Sequence, residues 1–103
     1  MKDASAVKFQ VGQVVHHRRY NYRGVILAYD PYCRAPETWY NRNRTQPDRN
    51  QPWYNVLVDG GRETYVAEEN LELDTSGEPV DHPLVPTFFP TFRDGRYFRP
   101  SMN

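Results

Sequence analysis

The sequence predicts an all-β domain, a small SH3-like antiparallel barrel of about five strands. Three observations predict it. Short runs rich in β-branched and aromatic residues recur along the chain, among them VVHH, VILAYD, WYNVLVD and RETYVA. Such residues fit a pleated, half-buried surface. Gly, Pro, Asp and Asn separate these runs, and there are no heptads and no internal repeats. Finally, the chain has 103 residues, which is one domain, and a flat open sheet of that size would leave long edges exposed. Closure into a barrel removes them.

Each element follows from local chemistry. Residues 1–7 read as a disordered start. Phe9 to His17 reads as the first strand, with Gly12 marking a tight entry. Residues 18–24, RRYNYRG, are polar and aromatic and end in Gly24, which marks a hairpin tip. VILAYD, residues 25–30, is a buried strand that Pro31 ends, because proline has no donor for a ladder. The long connection 31–52 holds Pro31, Pro36, Pro47 and Pro52 and few aliphatics. Pro36 suits the first turn of one short helix to about Asn41, with Glu37 favourable near its start. Trp39 and Tyr40 would anchor that helix to the barrel. A loop of this length is usually functional or mobile.

WYNVLVD, residues 53–59, alternates: Val56 and Val58 share one face, and Trp53, Asn55, Leu57 and Asp59 the other. Asp59-Gly60-Gly61 is a hairpin turn, and residues 62–67 return as the partner strand. Glu68-Glu69-Asn70 predicts one 3₁₀ turn and Leu71-Glu72-Leu73 a last short strand. The barrel domain is therefore placed at 8–74. Residues 75–103 form a C-terminal extension with five prolines, which forbid long ladders and long helices. Leu84, Val85, Phe88, Phe89, Phe92, Tyr97 and Phe98 give it an apolar load that disordered segments lack. An extended Pro- and aromatic-rich tail, packed on the barrel or on a neighbouring subunit, reconciles the two.

Composition bounds the function. Thirteen Lys and Arg balance thirteen Asp and Glu, so the net charge is zero. Aromatics make up 15% of residues and supply much of a small core. Large multi-substrate enzymes are excluded by size. The longest apolar run, Val25 to Tyr29, is far short of the roughly 20 residues of a membrane span. The start MKDASAVKF has no apolar signal core, and the single cysteine, Cys33, suits a reducing compartment, so a cytoplasmic location is expected.

Charge is uneven along the chain. Residues 1–53 carry nine cations against four anions, and residues 54–103 carry four against nine. Eleven of the thirteen cations are arginine, whose planar fork suits phosphate and carboxylate. Arg18, Arg19 and Arg23, with Tyr20 and Tyr22, sit at the predicted hairpin tip. Arg34, Arg42, Arg44 and Arg49 sit in the 31–52 loop. On a common rim, these nine residues would form a nucleic-acid surface: arginine forks for phosphate and tyrosine rings to stack on bases. Two other readings stay open, an acidic protein partner and arginines neutralised by the acidic second half. Zero net charge and the absence of a basic recognition helix count against strong major-groove readout. Phe88, Phe89 and Phe92 are candidate anchors for a protein partner, or rings that close the chain's own core. His16 and His17 are adjacent on a strand and face opposite ways, so they cannot readily share an ion. Neither they, His82 nor Cys33 has ligand spacing, so no metal or cofactor is expected. No catalytic residue is assigned: Cys33 with a His base would also need an orienting group and an oxyanion site, and nothing marks them.

Three blocks carry a family resemblance: VGQVVHHRRYNYRGVILAYDP, then QPWYNVLVD, then TYVAEENLE. In this order they resemble the YccV-like, or hemimethylated-DNA-binding, family, over about residues 9–74. That family includes the bacterial heat-shock protein HspQ. The long 31–52 loop and the tail segment HPLVPTFFPTF are similar to the version at the C-terminus of an F-box protein. The stretch carries no F-box, so ligase function does not transfer. The resemblance implies an SH3-like barrel without established catalytic residues. It implies double-stranded DNA as a partner, with a hemimethylated preference. Alternatively, it implies an adaptor in protein turnover and stress response, serving a protease such as Lon or Clp or its substrates. A homo-oligomer is compatible with such a barrel, and no residue demands one.

Overall fold

A computed structural model describes residues 7–100. The expectation of a disordered start falls, but for Val7, outside the described residues. The strands are β1 (Val14–His17), β2 (Arg23–Asp30), β3 (Trp53–Val58), β4 (Glu63–Ala67) and β5 (Leu71–Leu73). Helix α1 spans Glu37–Asn41 and a 3₁₀ turn spans Glu68–Asn70, as the sequence implies. The tail adds a one-turn helix α2 (Val85–Phe88) and strands β6 (Thr91–Arg93) and β7 (Arg96–Phe98).

Strands β1 to β5 form one antiparallel sheet in the order β4-β3-β2-β1-β5. Strands β6 and β7 pair separately. One face of all five strands converges on a single core of Phe9, Val15, Ile26, Tyr54, Val56, Val58, Val66 and Leu71. The sheet is therefore curled around its own side chains, as a barrel is. Backbone pairing does not close it, because β4 and β5 are both edges. A bulge at Leu27 breaks the β2–β3 register between Ile26 and Ala28. Bulges bend a strand and increase its twist.

The alternation read in 53–59 is observed. Tyr54, Val56 and Val58 face the inner core, while Leu57 and Trp53 enter two other clusters on the opposite face. Leu57, Val14 and Val25 meet Val80, Val85, Phe89 and Tyr97, so the tail covers the outer face of its own sheet. The tail is less extended than the sequence reading had it. Asp94-Gly95 makes a tight hairpin turn between β6 and β7, with both residues at positive φ. Gly24 is a second difference: it pairs within β2 against Val15 and Val58 instead of closing the tip.

Gly12 shows why the tail can lie so close. Its φ is +94°, and an added Cβ would overlap the Tyr97 carbonyl. The Tyr97 amide donates to the Gly12 carbonyl at 2.9 Å. Only glycine allows both the backbone turn and this approach. Arg23 ties the tail from the other end. Its guanidinium lies 3.1 Å from the Asp74 carboxylate and donates to the Glu78 carbonyl at 2.6 Å.

Candidate functional site

A groove of about 520 Å³ runs along β4. One wall is the β1–β2 tip, with His17, Tyr20 and Tyr22. The other is Trp39 of α1 with Asn43, Arg44, Thr45 and Pro47 after it. Trp53 and Asn55 of β3, and residues 62–67, complete it. Arg62, just before β4, lies 5.5 Å over the Tyr22 ring, and Arg18 of the tip lies 3.9 Å from Glu72.

Local bonds shape the tip wall. The buried His17 ring accepts at Nδ1 from the amides of Arg19 and Tyr20, at 3.1 and 3.0 Å. Asn21 turns the chain with a φ of 57°. Tyr20 stacks on His17 at 4.7 Å and remains 45% exposed, so its outer face is available. Tyr22 shares a hydrogen bond of 3.0 Å with Thr64, which joins the tip to β4.

The loop wall is built on Trp53, which is 2% exposed. Trp39, Tyr40 and Tyr65 pack on it with centroid separations of 6.2, 6.3 and 5.4 Å. Trp53 Nε1 donates to the Asp48 carbonyl, and Tyr40 Oη donates to the Pro47 carbonyl. Arg49 donates to the carbonyls of Cys33 and Ala35, and lies 4.8 Å over the Tyr40 ring. The 31–52 loop is thus held by named bonds across its length. Tyr65 Oη donates to Asp30 at 2.6 Å, and burial with that carboxylate pushes its pKa up.

The structure sorts the nine residues read as a nucleic-acid surface. Tyr20, Tyr22 and Arg44 meet at the groove. Arg18 and Arg19 are exposed beside Tyr20, and Arg42 is exposed beside Asn43. Arg34 is exposed but lies 3.6 Å from Asp30 and over the Tyr32 ring. Arg23 and Arg49 are absorbed by the fold, the first by Asp74 and the tail, the second by the loop carbonyls. Their guanidinium groups satisfy the protein's own acceptors. Of the three phenylalanines read as partner anchors, Phe89 is buried in the tail–sheet core, while Phe88 and Phe92 are more than one-third exposed.

With this geometry in hand, the comparisons decide the family. Residues 7–96 match the family described as YccV-like, "Hemimethylated DNA-binding protein YccV like". The chain belongs to the YccV-like family. Mouse F-box only protein 21 is 36% identical over 94 residues, which cover 88% of this chain and 15% of that protein. Human F-box only protein 21 is 35% identical with the same coverage. The chain therefore spans 15% of the length of these curated relatives. The match runs beyond residue 74, in keeping with a tail that packs into the YccV-like sheet.

Sequence reasoning missed Trp39, Trp53, Tyr65, Asn43, Asn55 and Arg62 as parts of this groove. One signal existed: Trp53 and Asn55 fall on the face opposite Val56 and Val58, so they had to meet something other than the inner core. His17 was read only as a poor metal ligand. It is the pivot of the tip, and its environment predicts an unusual titration. Burial, then the charges of His16 and Arg19, hold its pKa below 6.5. His16 moves the other way, because Asn21 accepts from one ring nitrogen and Glu72 from the other. On acidification the unfolded chain protonates His17 first, so its stabilising contribution is present above 6.5 and lost as pH falls through the folded value. The contribution of His16 is full below 6.5 and lost as pH rises through its raised value. Imidazole NMR should therefore show two adjacent histidines titrating on opposite sides of 6.5. Coincident midpoints would contradict this account of the tip.

Proposed function

We propose that this YccV-like chain is a non-enzymatic DNA-binding module that contacts duplex DNA at the β4 groove and its arginine rim. The observation that carries the reading is the joining of the two basic segments: Tyr20 of the tip and Arg44 of the loop line one groove, with Arg62 between them. Among the described residues, Arg19, Arg42, Arg44 and Arg62 have no ion-pair partner. Guanidinium groups left free by the fold can be taken up by phosphates. The rings of Tyr20, Tyr22 and Trp39 offer an apolar surface for a base or its methyl group, which supports the hemimethylated preference named by the family. The adaptor reading rests on a different observation, the unpaired edge of β4.

The test is fluorescence anisotropy with matched unmethylated, hemimethylated and fully methylated duplexes at two salt concentrations. Four phosphate contacts would lower log K by about 3.6 per decade of salt. The hemimethylated duplex should bind tightest. Arg44→Glu combined with Arg62→Glu should weaken binding at least tenfold with little change in thermal unfolding, since neither makes a salt bridge. Binding that ignores salt, or that survives both charge reversals, would sink the reading.

A further inference from the structure

The edge of β4 carries information that the DNA reading does not use. Strand β4 pairs with β3 alone. Two bonds set the direction of its backbone groups. The Arg62 carbonyl accepts from the Val58 amide, and the Glu68 amide donates to the Pro52 carbonyl. Positions 62 and 68 therefore point at β3, and so do 64 and 66 by the two-residue period of a strand. Glu63 and Tyr65 point their N–H and C=O groups the other way. Among the described residues, no hydrogen bond reaches these groups. Natural sheets usually cover, shorten or charge such an edge.

The groove wraps this edge. On the inner side it meets Tyr20, Tyr22, Thr64 and Val66, and on the outer side Trp39 and Tyr65. A strand laid against β4 would therefore find side-chain pockets on both of its faces. That is the arrangement in which main-chain bonds supply affinity and alternate side chains supply specificity. The groove also has a sign. Arg44 and Arg62 line it against one carboxylate, Glu63.

We propose that the free edge of β4 accepts an extended acidic segment of another protein as a sixth strand of the sheet. The ladder uses the Glu63 and Tyr65 backbone groups, and Arg44 and Arg62 hold the segment's carboxylates. Ala67 is fully buried and closes the far end, so the site takes a segment of about five residues. This site shares Arg44 and Arg62 with the DNA rim, but its ladder groups, on Glu63 and Tyr65, do not rest on that reading.

A library of random heptapeptides displayed on phage, selected against the whole chain, tests it. Acidic peptides with β-branched residues at alternate positions should be enriched. Synthetic copies of these peptides should slow hydrogen exchange at the Glu63 and Tyr65 amides at least tenfold. N-methylation of alternate peptide amides should abolish binding in one phase and spare it in the other. Glu63→Pro removes one ladder donor at the first position of an edge strand, where proline is tolerated. It should weaken the peptides at least tenfold and leave the unfolding midpoint unchanged. Exchange that is not slowed at those amides, peptides indifferent to N-methylation or to Glu63→Pro, or enrichment of basic sequences would each overturn the proposal. So would protection of the same two amides by a ten-residue oligo-dT but by no peptide. Arg44→Glu with Arg62→Glu removes cations that both ligands would use, whereas Glu63→Pro and peptide N-methylation report on the ladder alone, so the two readings fail separately.

Discussion

Cut after Asp74, the chain is expected to lose its cooperative unfolding transition. The segment removed buries Val80, Val85, Phe89 and Tyr97 against Val14, Val25 and Leu57. Fully burying an apolar side chain contributes about 1.5–3 kcal/mol, so four such side chains contribute roughly 6–12 kcal/mol. A whole domain is stable by only about 5–15 kcal/mol. The deletion would also wet the three residues left behind. Polar ties go with it: the Tyr97 amide to Gly12, the Gly60 amide to the Asp81 carbonyl, and the Arg23 bond to Glu78. Circular dichroism on heating should show no sigmoidal melt for the truncated chain. Phe89→Ala is the graded version and should cost about 3–5 kcal/mol in urea unfolding. A truncated chain that melts cooperatively within a few degrees of the whole one would mean that residues 1–74 form a sufficient core.

That expectation reverses a natural reading of the sequence, and the reason is physical. Five prolines in 75–103 count against ladders, and they outweighed Asp94-Gly95, a strong two-residue hairpin signal. The resulting hairpin needs strands of only three residues, which the prolines at 90 and 100 flank rather than interrupt. Where the pattern was strictly local, it was legible. VILAYD, the Gly60-Gly61 turn, the 68–70 turn and the LEL strand all stand close to where residue chemistry puts them. The arginines were not legible in this way. Arg23 and Arg44 look alike in sequence, yet one is held by an acid 51 residues away and the other lines a groove. Which guanidinium meets a carbonyl or carboxylate is set by tertiary approach, and periodicity carries no trace of it. The same holds for the groove. Its tip wall was legible in RRYNYR, but its second wall depends on Trp39 folding back onto Trp53 and Tyr65.

Trp53→Ala should therefore damage stability and site together. The side chain is the post to which Trp39, Tyr40 and Tyr65 are fixed, and its Nε1 holds the Asp48 carbonyl at 3.3 Å. Removing a buried tryptophan costs about 3–5 kcal/mol. A drop of that size should appear in urea unfolding, and the 31–52 loop should gain hydrogen exchange, because its other ties converge on the same cluster. Trp39→Ala separates the two effects. Trp39 is only half-buried, and its edge-to-face contacts with Trp53 and Tyr65 are each worth about 0.5–1.5 kcal/mol. It should cost clearly less stability than Trp53→Ala while stripping the aromatic surface from the outer wall. If the groove is the binding site, Trp39→Ala loses affinity for DNA out of proportion to its stability. If it binds as tightly as the unaltered chain, the loop serves only to cover β3, and the site has to be sought along the arginine tip alone.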